Sequence, residues 1–484
     1  MNAPIRRLGL VVAAMFCALL VATTLIQFVQ ARSLDDRAGN RRTLLASYSK
    51  ERGSILVGGS AVAVSKKTDD QFKWLRSYPQ GSLYADVTGY FSFTYGSTGI
   101  ERSEGDFLNG SSDKLFYRRL IDIVTGQSAQ GASVQLTINA KAQQAAAKAL
   151  GNQRGAVVAL DPKTGAILAM VTSPSYDPNK LASHDLNKVQ SSFAQLSKDP
   201  DQPLLNRAIN GNLYPPGSTF KLVDAAAALE SGKYQSDSTL PGPAKLRLPG
   251  TNSYLPNDFP GNCGANDKVT LKRALTISCN TAFASLGMSL GQDSVRSMAT
   301  KFGFGKSLSI PMSVTPSVFP SQLNQPQLAQ SAIGQYDVRA TPLQMAMVSA
   351  AIANGGKEMT PYLVQSVRDK NLDVIQTTDS KVFSNPVSAG TATTLTDMME
   401  SVVSQGTGTN AAIPGIKVAG KTGTAEHGQG RNADVWFTGF APADNPKVAV
   451  AVLVENGGTV GQEASGGLVA APIAKQVMEA VIGK

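Results

Sequence analysis

The sequence predicts an α+β fold in which one membrane helix is followed by a small β-rich module and a larger enzyme domain. Three patterns support this prediction. An uncharged apolar run covers Leu8 to Ile26. Short β-like runs, broken by glycine or serine, fill the region from Arg52 to Asn109. After Val134 the patterns are strand, then mainly helix from Phe220 to Gly356, then strand again, which is typical of one sheet joining both ends of a domain.

The apolar run predicts a membrane anchor. Its nineteen residues are enough for a helix to cross a ~30 Å hydrocarbon core. Arg6 and Arg7 precede it, which favours a cytoplasmic N-terminus and places the rest of the chain outside the cell. A cleaved signal peptide is the alternative, with Val29-Gln30-Ala31 as a weak cleavage site. Because the run is longer than a usual signal core, we expect a single-pass cell-membrane protein with an extracytoplasmic catalytic domain.

Changes in composition divide the chain into three expected units. Residues 1–31 are the cytoplasmic tip and transmembrane anchor, residues 32–133 a stalk and N-terminal module, and residues 134–484 the enzyme domain. Strands are expected in the module at Ser54–Val57 and Tyr90–Tyr95. The enzyme domain is expected to contain a strand, a capped helix, a hairpin, three late strands and a last helix: Val134–Ile138, Ala140–Leu150 after the cap Asn139, Gly155–Leu160 with Ala166–Val171, Ile416–Thr424, Val435–Phe440, Val448–Val454 and Gly467–Ile482.

Charge and cysteine content narrow the class of protein. The formal net charge is +10, but no Lys/Arg block with interleaved aromatics occurs, so a solvated basic surface is favoured over a nucleic-acid partner. Of the three cysteines, Cys17 lies in the apolar run, which leaves Cys263 and Cys279 in the exported part. These two either form a disulfide in an oxidising compartment or are unrelated small core residues.

The scarcity of histidine limits the possible chemistry. A Ser-His-Asp triad needs a histidine base and a zinc site usually needs several ligands, yet the chain has only two histidines. His184 lies in a polar loop and His427 in a glycine-rich one, and we expect both at the surface. No metal and no cofactor is predicted. If the chain is a nucleophilic enzyme, its expected base is lysine.

Ser218 is the candidate nucleophile. The irregular stretch Tyr214–Gly217 precedes it and a helical pattern begins at Phe220, so Ser218 lies near a helix N-terminus. Lys221 falls on the same side of the first turn, where a buried lysine can lose its proton and accept one from the serine hydroxyl. The S-x-x-K pattern alone is weak, because it recurs at Ser47/Lys50 and Ser111/Lys114. A simple helix cap is the alternative interpretation of Ser218.

Two further motifs follow in the chain. Ser278-Cys279-Asn280 is the only S-x-N, and it lies in a loop before a helical pattern. Ser278 is suited to relay a proton to a leaving amine, and Asn280 to hold a substrate amide.

Lys421-Thr422-Gly423-Thr424 ends a predicted strand, whose edge can pair with an extended peptide. Gly423 admits the substrate closely, while Lys421 and the two hydroxyls can bind a carboxylate. Lys163-Thr164-Gly165 repeats the K-T-G triplet, but we interpret it as the turn of a hairpin.

In this order the three motifs resemble those of penicillin-binding proteins and serine β-lactamases. Further stretches resemble class B penicillin-binding proteins: Arg52–Ile55, Gly99–Glu101, Asp161–Met170 and Gln335–Ala346. The chain is similar to actinobacterial monofunctional members, since its module of about a hundred residues is too short for the glycosyltransferase domain of bifunctional relatives. The resemblance implies a transpeptidase domain with an antiparallel sheet and a helical subdomain, on a β-rich pedestal or dimerisation-like module.

The resemblance also implies a function, a peptidoglycan D,D-transpeptidase of cell-wall synthesis that β-lactams inhibit. The implied catalytic residues are Ser218, Lys221, Ser278 and Lys421, and the residues implied to bind substrate are Asn280, Thr422, Gly423 and Thr424. The implied oxyanion hole consists of the backbone N–H groups of Ser218 and Thr424. The expected partners are stem peptides ending in D-Ala-D-Ala, β-lactams as covalent inhibitors, and a membrane glycosyltransferase of the SEDS type.

Two alternatives remain open at the level of sequence. The first is a D,D-carboxypeptidase or β-lactamase that uses the same serine and admits water to the acyl-enzyme. No E-x-x-x-N deacylation motif is evident between Ser278 and Lys421, which disfavours a β-lactamase. The second is a non-catalytic scaffold or β-lactam sensor, which the three intact motifs and the single apolar run disfavour. Roles in elongation, septation and sporulation, and so in cell shape or cell division, are equally compatible with the sequence.

Overall fold

The computed structural model describes residues 2–30, 45, 48–115, 130–211, 213–428 and 430–484, so most of the predicted stalk lies outside it. Its helices of six or more residues are α1 (Asn2–Thr24), α2 (Ala140–Leu150), α3 (Leu186–Lys198), α4 (Lys221–Glu230), α5 (Leu271–Thr276), α6 (Asn280–Leu290), α7 (Gln292–Lys301), α8 (Gln325–Ser331), α9 (Pro342–Ala353), α10 (Ala389–Gln405) and α11 (Ala471–Ile482). The strands of its two large sheets are β1 (Ile55–Val57), β2 (Ser60–Lys67), β3 (Trp74–Ser77), β4 (Ser133–Leu136), β5 (Gly155–Leu160), β6 (Ile167–Ser173), β7 (Val364–Arg368), β8 (Val374–Thr377), β9 (Ala419–Ala425), β10 (Asp434–Ala441) and β11 (Val448–Val454).

The N-terminal helix stands apart from the protein core. In the described part of the chain, Ala3–Gln27 is the one helical span long and apolar enough to cross a membrane, and none of its apolar window is buried against protein. Large side chains such as Leu10 and Met15 are exposed. A helix satisfies its own backbone hydrogen bonds, so this surface suits lipid.

A six-stranded sheet forms the pedestal, in the order β8-β7-β4-β1-β2-β3. Its centre is the parallel pair of β1 and β4, with Ile55 opposite Val134. Strand β4 also pairs antiparallel with β7, which comes from much later in the chain. The sheet therefore continues across the boundary expected at residue 134, and strands of the enzyme segment complete the pedestal.

A buried ion cluster fixes the pedestal. Glu101 is fully buried and accepts from Arg52 Nε at 2.6 Å and from Arg76 Nε at 2.6 Å. The Tyr78 hydroxyl donates to the same carboxylate at 3.2 Å. The two stretches that resembled class B proteins thus meet through Arg52 and Glu101. Removing Glu101 would leave two buried guanidinium groups without a counter-ion, and loss of a buried ion-pair partner typically costs about 3–5 kcal/mol.

A five-stranded antiparallel sheet, in the order β9-β10-β11-β5-β6, is the centre of the enzyme domain. Helices α2 and α11 pack together on one face of this sheet. The apolar helix α9 covers the other face, and helices α4 to α8 and α10 extend the core from it. The α+β prediction is confirmed, including the helix α2 capped by Asn139, whose side chain accepts from two backbone N–H groups of the first turn.

Two predicted strands differ from the structure. Within Tyr90–Tyr95 only Phe91–Ser92 is extended, paired with Gly96–Ser97, and a turn lies between them. Tertiary packing explains this, since Phe91 stacks on Tyr48 and Tyr95 stacks on Phe193. The strand predicted to begin at Ile416 begins at Ala419 and continues to Ala425, so the K-T-G triplet lies within β9 and not at its end.

Candidate active site

A sharp elbow presents Ser218 at the start of α4. Gly217 has φ +51°, and a Cβ there would lie 2.8 Å from the Thr424 carbonyl oxygen, so only glycine fits. Trp436 Nε1 donates to the Pro215 carbonyl at 3.0 Å. One 3₁₀ turn, Gly217–Phe220, then leads into the helix. The elbow is therefore fixed from two sides against strands β9 and β10.

A carboxylate from the opposite end of the domain also fixes this elbow. The Tyr214 hydroxyl donates to Glu455 Oε1 at 2.7 Å. Arg207 Nε donates to the same oxygen at 2.7 Å, and Arg154 lies 2.9 Å from the other oxygen of Glu455. Sequence reasoning missed Glu455, because most of the enzyme domain lies between it and Ser218 along the chain.

The S-x-N loop is held in a strained conformation. Ser278 has φ +60°, which is uncommon for a residue other than glycine, and such strain concentrates at functional sites. Cys279 caps α6 and is joined to Cys263 by a disulfide, with Cα atoms 6.0 Å apart. Asn280 is the first residue of that helix. The loop thus directs both the carbonyl and the hydroxyl of Ser278 inward.

Two buried lysines converge on Ser278. Lys221 Nζ donates to the Ser278 carbonyl at 2.9 Å and to Asn280 Oδ1 at 2.7 Å, and it lies 3.3 Å from Ser278 Oγ. Lys421 Nζ lies 2.9 Å from the same hydroxyl. Among the described residues the Ser218 hydroxyl has no hydrogen-bond partner, and catalytic contacts are often loose before substrate binds. The arrangement links two amines through one hydroxyl that can carry a proton between them.

Burial changes the protonation of both lysines. Loss of solvation lowers the pKa of Lys221 to about 7, against the opposing effect of the Asp258 and Asp224 carboxylates. Desolvation also holds the pKa of Lys421 well below its usual range, and the neighbouring Lys221 lowers it further. A neutral amine suited to accept a proton is therefore available near neutral pH.

Asp224 and Asp258, which the sequence reasoning missed, lie close to this pair. Asp258 accepts from Asn280 Nδ2 at 2.8 Å and so fixes the carboxamide. Asp224 lies one turn beyond Lys221 on α4 and is fully buried, and neither carboxyl oxygen has a hydrogen-bond partner among the described residues. Burial raises the Asp224 pKa well above its usual value, against the opposing effect of the Lys221 ammonium.

Strand β9 forms the wall opposite the elbow. It is the edge strand of its sheet, so one row of backbone groups is free to pair with an extended ligand. A Cβ on Gly423 would lie 2.9 Å from the Pro216 carbonyl oxygen. Glycine is therefore needed at this position because the elbow packs closely against it. The close approach of a substrate remains a prediction.

The two threonines of the third motif face different surroundings. Thr422 is buried and its hydroxyl lies 2.6 Å from the Thr407 hydroxyl. Thr424 lines the open cleft, beside Ser218. The structure thus brings Ser218 and Thr424 to one surface, with Thr422 behind it.

The cleft has a volume of about 550 Å³. Its floor contains Ser218, Asn280 and Thr424. One wall is a two-stranded antiparallel ribbon that pairs Lys245–Arg247 with Tyr254–Pro256, and the other is the loop around Tyr336. Its charged lining residues are Asp258, Arg339, Glu426 and His427. This size and lining suit a peptide with polar groups.

The prediction that both histidines lie at the surface is wrong, because each is partly buried and paired with an aspartate. His184 Nδ1 lies 2.5 Å from Asp70 in the pedestal region. His427 Nε2 lies 2.7 Å from Asp434 and its ring lines the cleft. The hydrogen bond from His427 to Asp434 raises the pKa of this histidine. No cluster of three possible metal ligands occurs among the residues that the structure describes.

Comparison with known proteins gives the same architecture. The family described as the penicillin binding protein transpeptidase domain matches residues 155–479, and the penicillin binding protein A dimerisation domain matches residues 52–134. The chain is 45% identical to peptidoglycan D,D-transpeptidase PbpA of Mycolicibacterium smegmatis, over 100% of this chain and 99% of that protein. It is 31% identical to peptidoglycan D,D-transpeptidase MrdA of Acinetobacter baumannii, over 84% of this chain and 68% of the relative.

Solved structures match as well. The ceftriaxone acyl-enzyme complex of penicillin-binding protein A from Mycobacterium tuberculosis is 44% identical, with a TM-score of 0.87, and the match covers 90% of this chain and 100% of that chain. The penicillin G acyl-enzyme complex of the same protein matches with a TM-score of 0.85 over the same shares of the two chains.

Proposed function

The chain belongs to the class B penicillin-binding proteins, and we propose that Ser218 is the nucleophile of its peptidoglycan D,D-transpeptidase activity. One observation carries the assignment of residues. The hydroxyl of Ser278 lies between two buried lysines at the base of the cleft that Ser218 lines. This arrangement supplies a base, a proton relay and an open nucleophile within one site.

The first half of the reaction forms an acyl-enzyme. Neutral Lys221 accepts the proton of the Ser218 hydroxyl as its oxygen attacks the penultimate D-Ala carbonyl of a stem peptide. The backbone N–H groups of Ser218 and Thr424 stabilise the oxyanion. Collapse of the tetrahedral intermediate breaks the peptide bond, and the terminal D-Ala leaves with a proton that returns from Lys221 through Ser278.

The second half transfers the acyl group. An amine on a neighbouring stem peptide attacks the acyl-enzyme carbonyl and forms the new amide bond. The proton that the amine loses passes through the lysine pair to Ser218 Oγ, which leaves as the free hydroxyl. Asn280 keeps one oxygen lone pair for a substrate N–H, since Lys221 occupies the other and Asp258 fixes the nitrogen. A β-lactam reacts only through the first half, which leaves Ser218 acylated.

We also propose the arrangement of the protein in the cell. Arg6 and Arg7 favour a cytoplasmic N-terminus, so the domains lie outside the membrane. The exposed face of α1 is free to contact a membrane glycosyltransferase of the SEDS type. Photo-crosslinking from Leu10 in cells should capture such a partner, and labelling of the folded domain by an impermeant reagent on intact spheroplasts tests the orientation.

Intact mass spectrometry tests the nucleophile. The full chain in detergent is incubated with benzylpenicillin, beside Ser218→Ala and Ser111→Ala. We expect one penicilloyl adduct on the parent and on Ser111→Ala, whose serine begins another S-x-x-K pattern. We expect none on Ser218→Ala, because the attacking oxygen is missing.

The time course separates the alternatives. An adduct that persists for hours supports a transpeptidase. Loss of the adduct within minutes would show that water reaches the acyl-enzyme, as in a hydrolase. A folded parent that gains no mass would refute the assignment of Ser218 and favour a scaffold.

A further inference from the structure

The two-stranded ribbon at the cleft wall has an outer face that the transpeptidase mechanism does not use. The ribbon pairs Lys245–Arg247 with Tyr254–Pro256 in antiparallel register. Leu246 and Leu255 lie opposite each other on its inner face and pack on the protein core. Since side chains alternate along a strand, Lys245, Arg247 and Tyr254 share the outer face. The register therefore brings two cations and one aromatic ring onto a single surface.

This outer face is open to solvent. Lys245 and Arg247 are exposed, and Tyr254 is 57% exposed in spite of its large ring. Arg247 Nε donates to the Thr251 carbonyl at 3.3 Å. Within the described chain, the other N–H groups of Arg247 and the amine of Lys245 have no partner. Tyrosine and arginine are among the side chains most enriched where proteins bind their partners.

The ribbon is fixed to the catalytic S-x-N segment. Asn280 Nδ2 donates to the Pro256 carbonyl at 3.2 Å, at the end of the second strand. The next side chain, Asn257, donates to the Pro243 carbonyl at 3.1 Å and accepts the backbone N–H of Thr281 at 3.1 Å. Both strands are thus tied to the start of α6. The outer face begins two residues, or about 7 Å, from the Pro256 contact, so it lies beside the reacting centre.

Transpeptidation requires room for two peptides in one cleft. In the proposed function, on which this inference rests, the donor pairs with the edge of β9 and its carbonyl reaches Ser218. The acceptor must then bring its amine to the same carbon along a wall that the donor leaves free. The ribbon is such a wall, because it lines the cleft on the side of the S-x-N segment.

The charges inside the cleft oppose one another. Its charged lining residues are of both signs: Asp258, Glu426, Arg339 and His427. Asp337 adds a third carboxylate, 3.7 Å from Arg339. The amines of Lys221 and Lys421 are buried and lie against Ser278. The cleft itself therefore offers no excess of exposed cations to a carboxylate of the acceptor.

The ribbon differs from the cleft, because residues 245–256 contain two cations and no carboxylate. A stem peptide with a free C-terminus carries a carboxylate besides its acceptor amine. We propose that the outer face of the ribbon binds the acceptor: Lys245 and Arg247 hold carboxylates of the acceptor stem peptide, and Tyr254 packs against its aliphatic side chains. An exposed ion pair contributes a factor of about two to five in affinity, so two pairs on one ligand give about fivefold or more.

Paired acceptors test the proposal on the full chain in detergent. The donor is an N-acylated peptidyl thioester of D-Ala, which releases a thiol when it acylates Ser218. The acceptors are acetyl-Ala-D-Glu tripeptides whose one primary amine is on lysine or on diaminopimelic acid, each made with free carboxylates and as carboxamides. For the parent at low salt we expect transfer to the free acids to be about fivefold or more faster. High salt should reduce this preference, because salt screens exposed charges.

Charge-changing variants separate recognition from general damage. Lys245→Gln combined with Arg247→Gln should reduce the preference below about twofold, because both cations are lost. Lys245→Arg combined with Arg247→Lys keeps both charges and should keep the preference. Lys268→Gln is the matched control, since Lys268 is an exposed lysine of the same segment on another strand pair. Acylation by benzylpenicillin, which needs no acceptor, reports the folding of every variant.

The outcomes are distinguishable from failure of the proposed function. If the parent transfers equally to both acceptor forms, or if the double glutamine variant keeps the preference of the parent, the acceptor surface is refuted while the transpeptidase stands. A folded parent that releases no thiol would overturn the proposed function. A parent that releases thiol but transfers to none of the acceptors is a hydrolase, and the inference then fails with the transpeptidase.

Discussion

The pH dependence of Ser218 acylation is the sharpest test of the lysine base. Burial lowers the pKa of Lys221 from 10.5 to about 7. At pH 7 about half of the Lys221 amines are then neutral, against roughly one in 3,000 for an unperturbed lysine, which is a gain on the order of a thousandfold in active base. We expect the second-order acylation rate to fall about tenfold per pH unit below pH 6 and to reach a plateau above pH 8.

The assay is stopped-flow acylation of the full chain by a fluorescent penicillin between pH 5 and 9. Lys221→Arg should lose at least about a thousandfold in rate, because a guanidinium does not deprotonate in proteins. A rate that stays constant down to pH 5, or that rises only above pH 9.5, would refute a base titrating near 7.

A second variant tests the electrostatic cause. The Asp258 carboxylate raises the pKa of Lys221, so Asp258→Asn should move the midpoint to lower pH. The new amide oxygen can still accept from Asn280, so the geometry is preserved. Asp397→Asn removes an exposed carboxyl on α10 and should leave the midpoint unchanged. A midpoint that moves upward in Asp258→Asn would contradict the assignment.

Three further predictions concern packing and stability. Glu455→Gln weakens the support of the elbow and should lower the acylation rate constant about tenfold, with a smaller change in the dissociation constant of the non-covalent complex. The concentration dependence of stopped-flow traces separates these two constants. Burial raises the pKa of Glu358 in the folded protein to about 8, above its unfolded value of 4.5. The contribution of this group to the free energy of unfolding is therefore fully present below about pH 4.5 and is lost as pH rises through 8. Glu358→Gln should therefore raise the urea midpoint at pH 8 and leave it unchanged at pH 4. Cys263→Ser removes the disulfide to Cys279 and should cost about 3 kcal/mol of unfolding free energy by urea titration, and an unchanged midpoint would show that this loop needs no crosslink.

The motifs allowed much of the site to be predicted, because each has a local signature. Gly217 and the two prolines before it mark the elbow, and the apolar run after Lys221 marks the helix. The order of Ser218, Ser278 and Lys421 along the chain then indicates one cleft. The hairpin around Lys163 and the helix cap at Asn139 also have local sequence signatures, and the structure confirms both.

Other features depend on contacts between distant segments, which no local pattern records. Asp258 and Glu455 have no motif around them, yet each fixes a catalytic segment by a hydrogen bond across the fold. The glycines around His427 suggested a surface loop, whereas the buried Asp434 holds the ring in the cleft. The strand predicted from Ile416 begins only at Ala419, because the ladder with β10 that defines it starts with Ala419 opposite Phe440.

The shared pedestal sheet has a consequence for biosynthesis. Strand β4 is hydrogen-bonded to β1 on one side and to β7 on the other, and β7 is made long after the module itself. While the chain emerges from N-terminus to C-terminus, one edge of β4 therefore stays unpaired until the helical half of the enzyme has been completed. An open edge is a template for pairing with other chains. Nascent copies delayed at this stage should be the ones most prone to aggregate, and a chain truncated before Val364 would keep that edge open permanently.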